Sequence, residues 1–163
     1  MRIAFERLSV IVAEDDPFWR RLVAAWLEAF GARRVRLAAD GAEALAMARS
    51  EPPDLVITDW EMPRLDGVAL ARALRDRDRS PCPFVPIVML SSTGERARVV
   101  HALKAGLNAY LVKPVTAQAL YERLLAALAD TRPFVETPVY FGPDRTKPFA
   151  PQIDPPLADD REA

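Results

Sequence analysis

Five short and mostly apolar runs recur along the chain, separated by longer segments in which apolar residues have a helical spacing. The runs are nearly continuous in their hydrophobicity and do not alternate in the way a half-exposed strand does. Continuous strands that alternate with helices are typical of a parallel sheet covered on both faces. The pattern therefore predicts an α/β fold with strands at 8–13, 35–38, 55–58, 85–90 and 109–112.

Residues suited to helix starts stand at the boundaries of the intervening segments. Asp16, Asp40, Asp66 and Thr116 are predicted to be N-caps, because their side-chain oxygens can accept a backbone N–H of the first turn. Glu43, three residues after Asp40, completes a capping-box pattern. These signals place helices directly after the strand ends.

The first helix carries a row of large apolar side chains at four-residue spacing. Phe18, Leu22, Trp26 and Phe30 form this row, and we expect it to face the core. Trp19 is expected to join the core as well.

Both ends of the chain differ in texture from the middle. Residues 1–7 are expected to be a leader before the domain at 8–130. Residues 131–163 contain seven prolines and no helical or strand period, which predicts a Pro-rich extension. Aromatic residues are unusual in plain linkers, and four lie close together here, so we expect a docking segment on the domain's own surface or on a partner: Phe134, Tyr140, Phe141 and Phe149. For 150–163, a flexible extension is the alternative interpretation.

Composition excludes several classes of protein. The single cysteine, Cys82, excludes an internal disulfide and a multi-cysteine metal site. A formal net charge of −1 gives no reason to expect nucleic-acid binding, and no apolar run is long enough to span a membrane. The N-terminus lacks the apolar region of a secretory signal. These observations favour a cytoplasmic protein.

Polar residues follow four of the predicted strands. Glu14-Asp15-Asp16, Asp59, Ser91-Ser92 and Lys113-Pro114 come directly after the first, third, fourth and fifth strands. Parallel strands bring these positions to one edge of the sheet, where ligands bind in open α/β folds. Clustered carboxylates repel one another unless a cation is present, and hard oxygen ligands suit Mg²⁺. A carboxylate there can act as a nucleophile toward phosphorus.

Four segments in this order resemble a known family, the response-regulator receiver domains of the chemotaxis-regulator type. The resemblance covers about residues 8–130. The first segment, 10–17, is the first strand with its acidic pair. The second, 59–67, is the phosphoacceptor signature, from Asp59 through Met-Pro to Asp-Gly. The third and fourth, 85–91 and 109–114, are the fourth strand with its hydroxyl and the fifth strand with Lys-Pro.

The resemblance implies a flavodoxin-like, doubly wound sheet of five parallel strands in the order 2-1-3-4-5, with helices on both faces. It implies that Asp59 is the phosphoacceptor, assisted by Lys113 and Ser91. It also implies Mg²⁺ ligands and a cis bond before Pro114. The implied ligands are Glu14, Asp15, Asp59 and the backbone carbonyl of Glu61.

The chain departs from the family pattern at three positions. Glu14 stands where aspartate is commoner, Ser91 replaces the commoner threonine, and Ser92 replaces a small residue. Tyr110 matches the family's rotameric switch and, with Ser91, is expected to respond to phosphorylation. An ordinary half-buried tyrosine is the alternative reading of Tyr110.

The function implied is a stand-alone response regulator of a two-component or phosphorelay system, and not an ordinary enzyme, although it assists its own phosphorylation and dephosphorylation. A histidine kinase or a histidine phosphotransfer protein would phosphorylate it. An output partner would bind the face formed by helix 4, strand 5 and helix 5. One alternative is a pseudo-receiver that binds partners without phosphorylation. A phosphatase with an aspartate nucleophile fits less well, because it needs an aspartate where Glu61 stands.

Overall fold

The computed structural model describes residues 3–149. A short 3-10 turn at Phe5–Arg7 precedes the first strand. The strands are β1 (Ser9–Ala13), β2 (Arg34–Ala38), β3 (Leu55–Thr58), β4 (Ile87–Ser91), β5 (Ala109–Val112), β6 (Phe134–Thr137) and β7 (Tyr140–Pro143). The helices are α1 (Pro17–Ala29), α2 (Gly41–Ser50), α3 (Gly67–Arg75), α4 (Arg96–Leu103) and α5 (Ala117–Leu128).

Strands β1 to β5 form one parallel sheet in the order β2-β1-β3-β4-β5. The predicted flavodoxin-like fold and strand order are therefore confirmed. Successive residues of each strand face opposite sides, as the pleat requires. Ile11 and Ala13 pack into a core layer with α2, α3 and α4, whereas Val10 and Val12 pack into a second layer with α1 and α5. Two core layers explain why the strands are apolar throughout.

The predicted helix caps are confirmed. The side chains of Asp16, Asp40, Asp66 and Thr116 each accept a backbone N–H from the first turn of α1, α2, α3 and α5, respectively. The carboxylate of Glu43 in turn accepts the backbone N–H of Ala39, the residue before the cap. The helices therefore begin where short polar side chains replace the missing backbone acceptors. Within residues 3–149, no helix is long and apolar enough to cross a bilayer.

The buried row of α1 differs from the predicted one. Val23 and Leu27 are fully buried, whereas Phe18 is 66% exposed. Trp26 and Phe30 pack against the core from its margin, in agreement with the prediction. The expectation that Phe18 faces the core was wrong. The side of α1 that faces the sheet carries Val23 and Leu27, and Phe18 lies on another side.

Residues 3–7 belong to the domain and do not behave as a separate leader. Phe5 is only 2% exposed and lies in the core layer of α1 and α5. Its ring contacts those of Phe30 and Tyr121, at centroid distances of 5.9 and 5.8 Å. The sequence pattern missed this because one aromatic residue in a short segment produces no periodicity.

The extension forms a hairpin, although no strand was predicted there. Strands β6 and β7 pair antiparallel, and Phe134 and Phe141 pack on Phe84, with ring centroids 5.0 and 5.5 Å from it. A two-stranded hairpin is marginal by itself in water, so packing on the domain stabilises it. The hairpin can approach the domain closely because position 142 is a glycine. A Cβ at this position would lie only 2.9 Å from the Cα of Gly106.

A buried arginine organises the surface under this hairpin. The guanidinium of Arg75 lies 4.9 Å from the ring centroid of Phe134, and burial lowers the pKa of Arg75 to about 9. It donates to three backbone carbonyls and one side chain: Pro83, Val85, Gly106 and Asn108. These residues precede β4 and β5, so the hairpin docks at the edge of the sheet opposite to the carboxyl ends of the strands.

The predicted docking of the extension on the domain's own surface therefore holds for the hairpin. Val100 and Val112, on the face of α4, β5 and α5, remain partly exposed. Residues 150–163 lie outside the described part of the chain.

We predict that Phe5→Ala lowers the free energy of unfolding by about 3 kcal/mol, because it removes a fully buried ring. Phe18→Ala is the matched control, and its largely exposed ring should give a change within about 0.5 kcal/mol. Urea unfolding at equilibrium measures both. Equal effects of the two substitutions would contradict the placement of Phe5 in the core.

For the hairpin, we predict that Phe141→Ala costs about 2 kcal/mol, because its ring is partly buried against Phe84. Val139→Ala, at a position 90% exposed in the same hairpin, is the control. Hydrogen exchange should show protected amides at the paired positions of β6 and β7 in the wild type. Amides exchanging at unfolded-chain rates would show that the hairpin is not docked.

Candidate functional site

Backbone hydrogen bonds continue beyond the strands and fix the residues that follow them. The N–H of Asp59 donates to the carbonyl of Ala13 at 2.8 Å, and the N–H of Lys113 donates to that of Ser91, also at 2.8 Å. The N–H of Glu14 donates to the carbonyl of Ala38. The parallel register thus brings the predicted site residues of β1, β3, β4 and β5 to one edge.

Lys113 lies between two of the predicted carboxylates. Its Nζ is 2.8 Å from Oε2 of Glu14 and 3.6 Å from Oδ2 of Asp59. The side chains of Glu14 and Lys113 are only 3% and 9% exposed, so water screens this ion pair weakly. The Lys113–Pro114 peptide bond is cis, the form that the resemblance implies.

Three carboxylates gather in the arrangement expected of a metal site. Glu14, Asp15 and Asp59 each offer an oxygen, and these oxygens lie within 4.8 Å of one another. Burial raises the pKa of Glu14 to about 7; the hydrogen bond from Lys113 opposes this shift, and repulsion by Asp59 adds to it. The cluster is thus short of positive charge and has hard oxygen donors, so its chemistry fits Mg²⁺.

The phosphoacceptor candidate Asp59 is held by the loop that follows it. Its Oδ1 accepts the N–H of Trp60 at 2.7 Å. The N–H of Gly67 donates to the carbonyl of Trp60, also at 2.7 Å, and closes the loop. A Cβ on Gly67 would lie 1.9 Å from the carbonyl oxygen of Asp59. The glycine of the Asp-Gly signature is therefore required by close packing of the backbone.

The predicted switch residues lie together beside this site. Ser91 is 2% exposed, and its Oγ accepts the N–H of Thr93 at 3.4 Å. Tyr110 is 8% exposed, and its hydroxyl donates to the carbonyl of Thr93 at 2.5 Å. Burial raises the pKa of Tyr110. The tyrosine thus already points inward in this structure, toward the loop between β4 and α4.

The side chain of Glu61 points away from the carboxylates. It is 72% exposed and forms an ion pair with Arg98 of α4, at 3.5 Å. The guanidinium of Arg98 also lies 4.5 Å from the ring centroid of Trp60, and His101 stacks on the same ring at 6.1 Å. These contacts link the loop after Asp59 to α4. No sequence signal identified them, because they join segments about forty residues apart.

Trp19 is a second residue whose place was missed. It was expected in the core, but it is half-exposed at the site, where Nζ of Lys113 lies 4.9 Å from its ring centroid. The sequence signal that could have placed Trp19 at the site was its position four residues after Asp15, at the start of α1.

The pKa of Glu14 predicts how stability depends on pH in metal-free buffer. The folded state holds the proton of Glu14 up to about pH 7, whereas the unfolded chain loses it near 4.5. The folded state therefore binds more protons in between, and the free energy of unfolding should fall by about 3 kcal/mol as the pH rises through this window. Glu14→Gln should remove this fall, as measured by urea unfolding in EDTA. An unchanged slope in Glu14→Gln would contradict the assignment.

The sequence of the whole site matches a known family. Residues 10–125 match the family described as Response regulator receiver domain. The chain is 34% identical to the chemotaxis protein CheY of Pseudomonas aeruginosa over 117 residues, which cover 72% of this chain and 93% of that protein. It is 35% identical to CheY1 of Helicobacter pylori over 122 residues, which cover 74% and 97%.

Solved structures give the same result. The receiver domain of the Francisella response regulator 1452 superposes with a TM-score of 0.68 at 30% identity, covering 75% of this chain and 97% of that chain. CheY4 of Vibrio cholerae superposes with a TM-score of 0.67 at 30% identity, covering 73% and 97%. Since the family match, the relatives and the fold agree, this chain belongs to the response-regulator receiver domains, which are signalling switches of two-component systems.

Proposed function

We propose that this protein is a stand-alone response regulator that accepts a phosphoryl group on Asp59 with the help of Mg²⁺. The observation that carries the proposal is the placement of Lys113 Nζ 2.8 Å from Glu14 and 3.6 Å from Asp59. Lys113 thereby stands beside the candidate nucleophile, in a cluster whose third carboxylate is Asp15. Asp15, Asp59, the carbonyl of Glu61 and, directly or through water, Glu14 would hold the metal.

The chemistry is an in-line transfer of a phosphoryl group. A carboxylate oxygen of Asp59 attacks the phosphorus of a phosphohistidine, an O–P bond forms, and the N–P bond breaks with its electron pair left on the imidazole. Bound Mg²⁺ supplies positive charge against the phosphoryl oxygens. On the protein side, the Lys113 ammonium and the Ser91 hydroxyl donate hydrogen bonds to those oxygens.

The signal then reaches the surface through Ser91 and Tyr110. A phosphoryl group that accepts a hydrogen bond from the Ser91 hydroxyl draws Oγ toward Asp59, and the N–H of Thr93, which Oγ accepts at 3.4 Å, moves with it. The carbonyl of Thr93 is also the acceptor for Tyr110, so both switch residues depend on one loop. A shift of that loop changes the populations of the conformations that the face of α4, β5 and α5 can adopt.

Members of this family interact with kinases and with downstream proteins. We propose a histidine kinase or a histidine phosphotransfer protein as the phosphodonor in the cytoplasm, and an output protein on the face of α4, β5 and α5. The receiver domain comprises the predicted range 8–130 together with residues 3–7, which complete its core, and the hairpin packs onto it. A phosphatase role is disfavoured, because the carboxylate of Glu61 pairs with Arg98 outside the cluster.

We predict that acetyl phosphate and Mg²⁺ add one phosphoryl group to the wild type and none to Asp59→Asn, as measured by intact mass. Asp16→Asn is the matched control, because it is a neighbouring carboxylate that caps α1, and asparagine keeps the cap. It should be labelled normally. A wild type that stays unlabelled would favour the pseudo-receiver, and labelled Asp59→Asn would refute the assignment.

We also predict that Mg²⁺ raises the melting temperature of the wild type and not that of Asp15→Ala. Binding at a concentration one hundred times the Kd stabilises the folded state by about 2.7 kcal/mol. Without metal, Asp15→Ala should be slightly more stable than the wild type, because it relieves repulsion with Glu14 and Asp59. Asp16→Asn again serves as the control. An equal shift with Mg²⁺ in Asp15→Ala would place the metal elsewhere.

A further inference from the structure

Side chains from three other elements of the fold surround the ammonium group of Lys113. The side chain is 9% exposed, and its Nζ contacts Glu14 after β1 and Asp59 after β3. The third neighbour is the indole of Trp19 in the first turn of α1, whose ring centroid lies 4.9 Å from Nζ. A cation within about 6 Å of an aromatic ring centroid is attracted by the negative face of the ring.

The structure holds Trp19 firmly in this place. The start of α1 is capped by Asp16, whose Oδ1 accepts the N–H of Phe18 at 2.9 Å. The next residue, Arg20, donates from its guanidinium to the carbonyl of Glu14 at 2.8 Å and ties the first turn to the end of β1. The ring of Phe18 contacts the indole edge to face, at 6.0 Å.

The three neighbours of Lys113 differ in what metal binding does to them. Glu14 and Asp59 are both candidate ligands of Mg²⁺, so metal binding takes their charge away from the ammonium. The metal also repels the ammonium, since both carry positive charge. The indole of Trp19 is not a ligand for a hard cation. Its attraction for Lys113 therefore persists when the carboxylates are occupied.

We propose that Trp19 is a positioning residue that keeps the Lys113 ammonium inside the site once Glu14 and Asp59 are committed to the metal. This inference rests on the proposed phosphoacceptor function. Lys113 then faces the phosphoryl oxygens from the side of α1 and is not released to solvent. A leucine at position 19 keeps an apolar side chain there but lacks the attraction.

The chain offers a direct test, because it contains only three lysines, at positions 104, 113 and 147. Lysine labelled with ¹³C at the ε carbon gives three NMR signals, and Lys113→Arg assigns one of them. Ring current from Trp19 should shift the Lys113 ε protons upfield of those of the exposed Lys104 and Lys147. The shift should persist when Mg²⁺ is added. It should persist in Trp19→Phe and disappear in Trp19→Leu.

Kinetics with acetyl phosphate provide the second readout. Trp19→Leu should lower the maximal rate of phosphorylation by roughly threefold to tenfold, the range expected from loss of one cation–π contact. The apparent affinity for acetyl phosphate and the Mg²⁺ affinity should stay unchanged. Trp19→Phe should retain the rate within about twofold. Phe84→Leu removes a largely exposed ring at the opposite edge of the sheet, far from Lys113, and it should behave as the wild type.

Two results would overturn the inference. The first is a Lys113 signal in Trp19→Leu that keeps the upfield shift, or one in the wild type that loses it on addition of Mg²⁺. The second is a maximal rate in Trp19→Leu equal to that of Trp19→Phe. If the wild type takes no phosphoryl group at all, the proposed function fails, and the NMR signals still decide whether Trp19 holds the ammonium.

Discussion

Two carboxylates and one ammonium group, buried together at the carboxyl edge of the sheet, impose the constraint on which the rest of the structure depends. Glu14 and Asp59 repel each other, and burial, with that repulsion added, raises the pKa of Glu14 even though Lys113 donates a hydrogen bond to it. Such a cluster persists only on a stiff backbone. The parallel ladders supply it, extended by one residue beyond β1, β3 and β5, with Gly67 packed directly on the carbonyl of Asp59.

Much of this arrangement was predictable, because it is encoded locally. Strands such as 55–58 are apolar at every position but the last, so they had to be covered on both faces. Asp40 and Asp66 are followed by helical segments, and their caps depend only on the next three residues. Once the sheet is parallel, Glu14, Asp59 and Lys113 must meet at one edge. The separate roles of these residues came from resemblance to the family, and the geometry is consistent with them.

The parts that were missed depend on contacts between distant segments. Phe5 and Phe18 are the same residue type in equally short apolar contexts, yet one is 2% exposed and the other 66%. What separates them is the position of Phe30 and Tyr121, whose rings receive Phe5. The hairpin likewise has prolines and a glycine in place of a strand pattern. It forms because Phe84 and the buried Arg75 offer its aromatic rings a surface.

Helix α4 joins these two regions of the molecule. In the amino-terminal half of α4, the guanidinium of Arg98 contacts the ring of Trp60. The backbone N–H of Trp60 in turn donates to the carboxylate of Asp59. At the carboxyl end of α4, the carbonyl of Leu103 accepts a hydrogen bond from Arg145 in the segment after β7, at 3.0 Å. The position of α4 is therefore set both by the loop after Asp59 and by the segment after β7.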